Sequence, residues 1–352
     1  MANVGLAQIE QKSFSGLGNL TKLDIRNNKL HNLEPNVFAE MENLEELNLE
    51  KNDVNSLFLV FVGLSNLRQL YLGGNKIVNI EGGFEGLYSL EVLDLSCNFI
   101  QDLSYYFCGM INLHTLRLSQ NHLNTLHRSG FYCLTLLRFL DLSHNQLEVL
   151  PDVFTNLHNL QELDVSGNKL TIIGISLNYG LRILSLSNNS LNTFNATGSW
   201  WNIEELHVDH NQLSDLEFID TMKHMPSLRK LSLGFNKYSC ADSRDLTSYA
   251  FENGVTLLPF PTILLAQCQD STMKPRTGTR NRSSTYDHPH YKTSLMVGVS
   301  LASILLFFVL TLGFIVLCHK FGKLLPSIHR RGKNKEVGDR VQDCDEVYMT
   351  VD

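Results

Sequence analysis

Seven cysteines in 352 residues, Cys97, Cys108, Cys133, Cys240, Cys268, Cys318 and Cys344, form no CxxC pair and stand at no Cys/His spacing that would assemble a zinc site. No metal centre is expected. The chain also lacks a nucleophile elbow, an HExxH helix and a phosphate loop. The pair His288 and His290 falls in a stretch that cannot preorganise a site. No enzyme and no cofactor is therefore expected. Positive charge is scarce where a core could form. Of the formal charge of −7, residues 270–294 carry five Lys/Arg against two Asp/Glu and residues 319–352 carry seven against six, which leaves residues 1–269 at −11. A phosphate-binding footprint needs Lys and Arg gathered on one face, so nucleic acid is a poor expectation. Met1 to Gln11 has neither a basic start nor an apolar core, and so shows no secretory leader.

What the chain does have is a period. The phrase LxxLxLxxNxL recurs ten times up to residue 238, with its asparagine at Asn28, Asn52, Asn75, Asn98, Asn121, Asn145, Asn168, Asn189, Asn211 and Asn236. In Leu90-Leu93-Leu95-Asn98-Ile100 the alternating Leu93 and Leu95 point inward from a short strand, and the residues between them face solvent. Each asparagine follows where the chain turns inward, and its amide suits the backbone groups of the turns that no sheet partner satisfies. Phe14, Phe38, Phe61, Phe84, Phe107, Phe131 and Phe154 recur beside a following Leu or Met as a second stacked column on the outer side. Repeats eight to ten lose this phenylalanine, and Asn178-Tyr179-Gly180 and Ser199-Trp200-Trp201 stand in the outer half.

This pattern resembles the longer, extracellular type of leucine-rich repeat over about two thirds of the chain. The expected fold is an α/β solenoid, a horseshoe with parallel strands on its concave face, plus one transmembrane helix. The expected divisions are a partial repeat without an N-terminal cap at 1–19, ten repeats at 20–238, a cap at 239–269, a flexible stalk at 270–294, the span at 295–318 and a tail at 319–352. Ile9, Phe14 and Leu17 read as the back half of a repeat whose strand half is missing. With no cap and no leader at the same end, the sequence reads as beginning inside a longer reading frame or as having lost its first exon. The stretch after Asn236, with Tyr238, Cys240, helix-compatible residues 242–252 and Cys268, resembles the cysteine-bearing C-terminal flank of these proteins. That family often has two bridges here. Ala241 and Asp242 stand where another early cysteine belongs, so the resemblance implies one, Cys240 to Cys268.

Leu295 to Cys318 is an uncharged run of 24 residues, enough to cross a bilayer, where about 20 suffice. Lys320, Lys323, Arg330, Arg331, Lys333 and Lys335 follow it, which puts the tail on the cytoplasmic side. Sequons at Asn19, Asn188, Asn195 and Asn281 all precede the run, as glycosylation in an extracellular or lumenal part requires. Cys318, at the inner edge, is either a palmitoylation site or a plain lipid-facing cysteine. The tail carries Tyr348 and, three residues on, Val351, a spacing that resembles signals read by endocytic adaptors. With Asp343, Asp345 and Glu346 beside it, Tyr348 also suits a tyrosine kinase and then an SH2-type partner.

Among the solvent-directed residues of the strands most are polar: Asp24, Asn48, Asp94, Asp141, Asp164 and Ser185. Against these, Tyr71, Arg117 and Phe139 stand out as the residue types of binding hot spots. His207, Asp209 and His210, with His114 and His144 on the same face, read either as a cluster that gains charge at endosomal pH or as ordinary surface histidines. A glycan on Asn188 would obstruct its part of the face, which favours the middle repeats.

Taken together, the repeats, the cap, the stalk and the span resemble the ectodomain and membrane helix of a Toll-like receptor without the Toll/interleukin receptor domain. The resemblance implies innate immune pattern recognition at the plasma or endosomal membrane, as a co-receptor or decoy. The partners it implies are an extracellular protein, lipid or microbial ligand and a homo- or heterodimer with a related receptor. The alternative from another class is an adhesion or synapse-organiser type leucine-rich repeat protein that binds a protein partner.

Overall fold

The computed structural model describes residues 1–258 except 128, 174–179, 195–199 and 215–216. These residues lie in one compact unit, Met1–Thr272. The 295–318 run, the stalk and the tail lie outside them, and no helix among the described residues is long and apolar enough to cross a membrane.

Each repeat contributes one short strand. In chain order these are β1 (Lys22–Asp24), β2 (Glu46–Asn48), β3 (Gln69–Tyr71), β4 (Val92–Asp94), β5 (Thr115–Arg117), β6 (Phe139–Asp141), β7 (Glu162–Asp164), β8 (Ile183–Ser185), β9 (Glu205–His207) and β10 (Lys230–Ser232). An eleventh, β11 (Thr256–Leu258), follows the C-terminal helix. They pair in parallel and strictly in sequence order, so the sheet is a solenoid wall with no crossover. The middle residue of every repeat strand is a leucine, buried in all ten.

The repeat asparagines hold this wall together. Asn98 Oδ1 accepts from Ile77 N–H in the preceding repeat at 3.0 Å. Its Nδ2 donates to Leu72 O of that repeat and to Leu95 O and Ser96 O of its own. The same set recurs around Asn52, Asn75, Asn121, Asn145, Asn168, Asn189, Asn211 and Asn236. At the N-terminal end Asn28 accepts from Val4 N and Leu6 N and donates to Met1 O. Residues 1–6 therefore form the inward turn of one more repeat, with Val4 at the asparagine position.

The residue just before each of these asparagines has a left-handed backbone. It is Asn27, Lys51, Gly74, Cys97, Gln120, His144, Gly167, Asn188, His210 and Phe235 in turn, with φ between +51° and +67°. Eight of the ten are not glycine, and each such residue carries about 1–2 kcal/mol of strain. The bonds to the following asparagine offset it. A second asparagine column, missed in the sequence, lies outside: Asn43, Asn66, Asn112 and Asn159 each donate Nδ2 to a carbonyl of the repeat before, Gly18, Glu42, Tyr88 and Thr135.

On the outer side the phenylalanines stack, with centroids of Phe14 and Phe38 5.4 Å apart, Phe84 and Phe107 5.9 Å, and Phe131 and Phe154 6.1 Å. Where the column ends, Trp200 is buried in the neighbouring Leu/Met position and meets Phe194 edge-on at 5.3 Å. In repeat ten Met222, at the end of α1 (Glu217–Met222), and Met225 are buried in the two positions. A disulfide not anticipated from the sequence, Cys108 to Cys133, ties neighbouring repeats on this side.

At the C-terminal end, α2 (Cys240–Glu252) opens with a reciprocal cap. Ser239 Oγ accepts from Asp242 N, and the Asp242 carboxylate accepts from Ser239 N. Asp242, at the place of an absent cysteine, is thus a helix-capping residue. Leu246 and Ala250 of α2 are buried, and Val255 N donates to Ala250 O as the chain turns into β11. Cys240 is disulfide-bonded; Cys268 lies outside the described residues.

Asn98→Ala removes an acceptor and a shared donor at a 3% exposed site. Each buried group left unsatisfied costs about 1–3 kcal/mol, so a total loss of about 3 kcal/mol or more is expected. Asn159→Ala, in the exposed outer column, is expected to cost less than about 1 kcal/mol, because water replaces its single bond. Chemical denaturation of the two variants measures the contrast.

Candidate recognition face

Strand register fixes which side chains share the solvent side of the sheet. One column runs Asp24, Asn48, Tyr71, Asp94, Arg117, Asp141, Asp164, Ser185, His207, Ser232, and its neighbour runs Lys22, Glu46, Gln69, Val92, Thr115, Phe139, Glu162, Ile183, Glu205, Lys230. In these two columns Asp24, Asp94, Asp141, Asp164, Glu46, Glu162 and Glu205 outnumber the cations Lys22, Arg117 and Lys230.

The aspartates have a local structural task. Asp94 Oδ1 accepts from Ser96 N at 2.9 Å and from its hydroxyl at 2.5 Å. Asp141 Oδ1 does the same with Ser143 at 2.9 and 2.7 Å, and Asp164 Oδ1 accepts from Ser166 N at 2.8 Å. Each takes up an N–H two residues on, just past the strand end, and Asn48 does so for Glu50 N. Within repeats four to seven, repeat five breaks the series, for Arg117 stands where an aspartate would accept.

Arg117 and Phe139 come together: the guanidinium carbon lies 5.4 Å from the ring centroid. Such a contact contributes about 0.5–1 kcal/mol at an exposed site. Tyr71 is not part of this pair. It lies two strands away beyond Asp94, and its hydroxyl donates to Gln69 Oε1 at 3.0 Å. Burial, then the charge of Glu46, pushes its hydroxyl pKa up.

His207 and His210 are divided between different acids. His207 Nε2 lies 2.9 Å from Glu205 Oε1, whose other oxygen accepts from Lys230 Nζ at 2.9 Å. His210 Nδ1 lies 2.8 Å from Asp209 Oδ2, and its ring stacks on Phe235 at 4.2 Å. Asp209 Oδ1 accepts from the Ser187 and Ser232 hydroxyls, both at 2.6 Å. Burial would raise the Asp209 pKa, but these bonds and the one to His210 outweigh it and hold the carboxyl below its ordinary value. Asp209 is thus a bracing residue between repeats. No three metal-ligating side chains converge among the described residues. His144 lies over Gly167, where an added Cβ would come within 2.6 Å of its ring nitrogen.

Asn19 and Asn188 are exposed, Asn188 in the left-handed position on the rim of the strand face. Asn195, Asn281, Cys318, Tyr348 and Val351 lie outside the described residues.

The leucine rich repeat model matches residues 2–54, 89–147 and 111–170, and the model for two copies of leucine rich repeats matches 65–106. With the ordered parallel sheet, these matches identify the residues they cover as leucine-rich repeats. Among solved structures it is similar to an internalin, InlF, from Listeria monocytogenes, with a TM-score of 0.54 and 21% identity over 73% of this chain and 78% of that one. It is also similar to TLR13 in a complex with a single-stranded RNA, with a TM-score of 0.50 and 24% identity over 72% of this chain. The match spans 49% of the TLR13 chain. At these identities the likeness is one of fold. No curated protein matches the sequence.

Asp164 carries a raised pKa, from burial first and from the adjacent Asp141 as well, with the Ser166 bonds opposing. A raised folded-state pKa makes Asp164 favour folding at low pH, and that contribution is lost as pH rises through the folded pKa. Asp164→Asn keeps an oxygen for Ser166 N–H and removes the charge. Its melting temperature is expected to exceed that of the parent at pH 7, with the gain shrinking toward pH 4, as thermal melts across that range would register.

Proposed function

We propose that this protein is a membrane-anchored recognition receptor whose strand face binds a protein ligand. The observation that carries the reading is Arg117 stacked on Phe139 at mid-sheet. Arginine and aromatic side chains are enriched at the cores of protein interfaces, and these two sit on rigid strands rather than loops. Two further features support an extracellular or lumenal setting. Bonded cysteines at Cys108, Cys133 and Cys240 belong to an oxidising compartment, and Asn19 and Asn188 are exposed sequon asparagines. The uncharged run 295–318 would be the anchor.

Innate immune sensing as a co-receptor or decoy rests on the Toll-like receptor resemblance. The carboxylates on the strand face speak against RNA, the ligand in the TLR13 complex, because they repel phosphate. The adhesion reading shares the same face and differs in its partner, a protein of an opposing cell.

Arg117→Asn creates the sequon Asn-Leu-Ser on the strand face, and Gln11→Asn creates Asn-Lys-Ser on an exposed turn away from it. In cells expressing the full chain, both variants are expected to gain a glycosidase-sensitive mass. Loss of ligand capture is expected only for Arg117→Asn. Absence of any glycan would sink the extracellular assignment, and equal capture by both would sink the strand-face assignment.

A further inference from the structure

We propose that the strand face of repeats five to seven docks an arginine- or lysine-bearing segment of a protein ligand, its cation seated between Asp141 and Asp164. The proposal rests on the strand face being the recognition surface and assigns the chemistry of what it takes.

β6 and β7 pair so that Asp141 stands directly beside Asp164, and Phe139 beside Glu162. Neighbouring strands are about 4.8 Å apart, and like charges opposite one another on a sheet oppose folding. Both aspartates use Oδ1 for the strand-end bonds to Ser143 and Ser166. Among the described residues neither has a Lys or Arg within ion-pair distance. Elsewhere the solenoid does neutralise its acids: Glu46 meets Lys22, Glu91 meets Arg68, Glu204 meets Arg182 and Glu205 meets Lys230. Arg117, in register beside Asp141, leans over the Phe139 ring instead. Burial first, with the neighbouring Asp141 adding to it, holds the Asp164 pKa above its ordinary value.

An incoming cation would relieve it, and an arginine fits most completely. Two carboxylates accept its forked N–H groups, while Phe139 supplies an aromatic surface of the kind guanidinium groups favour. The flanking column past the strand ends is Ser96, Ser119, Ser143, Ser166 and Ser187, short side chains that let a ligand backbone come close. A phosphate backbone or an anionic headgroup would meet the same carboxylates and be repelled.

The test uses the purified full-length chain and four fluorescein-labelled probes. Three are matched Gly/Ser peptides carrying two arginines, two lysines or two glutamates, and the fourth is a single-stranded oligoribonucleotide. The arginine peptide is expected to bind at least tenfold more tightly than the glutamate peptide or the RNA. Asp141→Asn with Asp164→Asn is expected to weaken it at least tenfold while the melting temperature holds or rises. Glu81→Gln with Glu85→Gln, an equal charge change at exposed positions outside the strands, should alter binding less than twofold. Tighter binding of the glutamate peptide or RNA overturns the proposal, as does failure of the arginine peptide to outbind them or equal losses in the two double variants. If Arg117→Asn abolishes ligand capture yet the Asp141/Asp164 pair proves indifferent, the recognition face stands and only its cationic partner falls.

Discussion

A side-chain amide with one acceptor and two donor hydrogens, placed where the chain turns inward, is the constraint on which the rest of the solenoid depends. A turn between a parallel strand and an outer arch leaves backbone groups inside the protein that the sheet cannot reach. Asn98 meets one N–H and three carbonyls across two successive repeats, so each asparagine ties its own turn to the one before. Aspartate could accept but not donate. A residue one methylene longer would place the amide past the carbonyls. The strain of a left-handed residue at the preceding position is tolerated because the bonds that require it are buried and recur through the stack.

Leucine and asparagine positions were readable because burial on both sides leaves few alternatives: a middle-strand leucine such as Leu93 or Leu116 is fully enclosed. The left-handed column was not readable. It holds Asn, Lys, Gly, Cys, Gln, His and Phe, since each side chain there points to solvent and only the backbone is specified. The outer asparagines escaped for a related reason. Asn43 and Asn66 donate at the surface, where repeats four and six manage with Ser89 and Leu136, so no strict period betrays them. The Cys108–Cys133 bridge hid because its two cysteines occupy different offsets within their repeats and are brought together only by the outer arches.

For the recognition face, the columns of exposed residues were legible from the strand period, but their interactions were not. Tyr71, Arg117 and Phe139 looked like one group. The structure joins only the last two, because side chains on a sheet reach an adjacent strand and Tyr71 is separated from Arg117 by Asp94. Of His207, Asp209 and His210, which read as a cluster or as ordinary surface residues, the structure joins His210 to Asp209 and sets His207 against Glu205. A spacing of three residues across the strand end does not bring His207 and His210 together, since the left-handed turn puts His210 on the rim.

The aspartates of the strand face show how one residue serves two levels at once. Asp94, Asp141 and Asp164 each cap an N–H that the short strand leaves over, and asparagine could do this without charge, as Asn48 does. Folding alone therefore gives no reason for the carboxylate form. Placing two of them side by side at β6 and β7 even works against stability. A solenoid built from near-identical turns can absorb such a local penalty, because each repeat is braced by its neighbours through the asparagine bonds and the phenylalanine stack. The rigidity that the internal ladder provides is thus what allows the outer face to hold charges in an arrangement that only a partner would relieve.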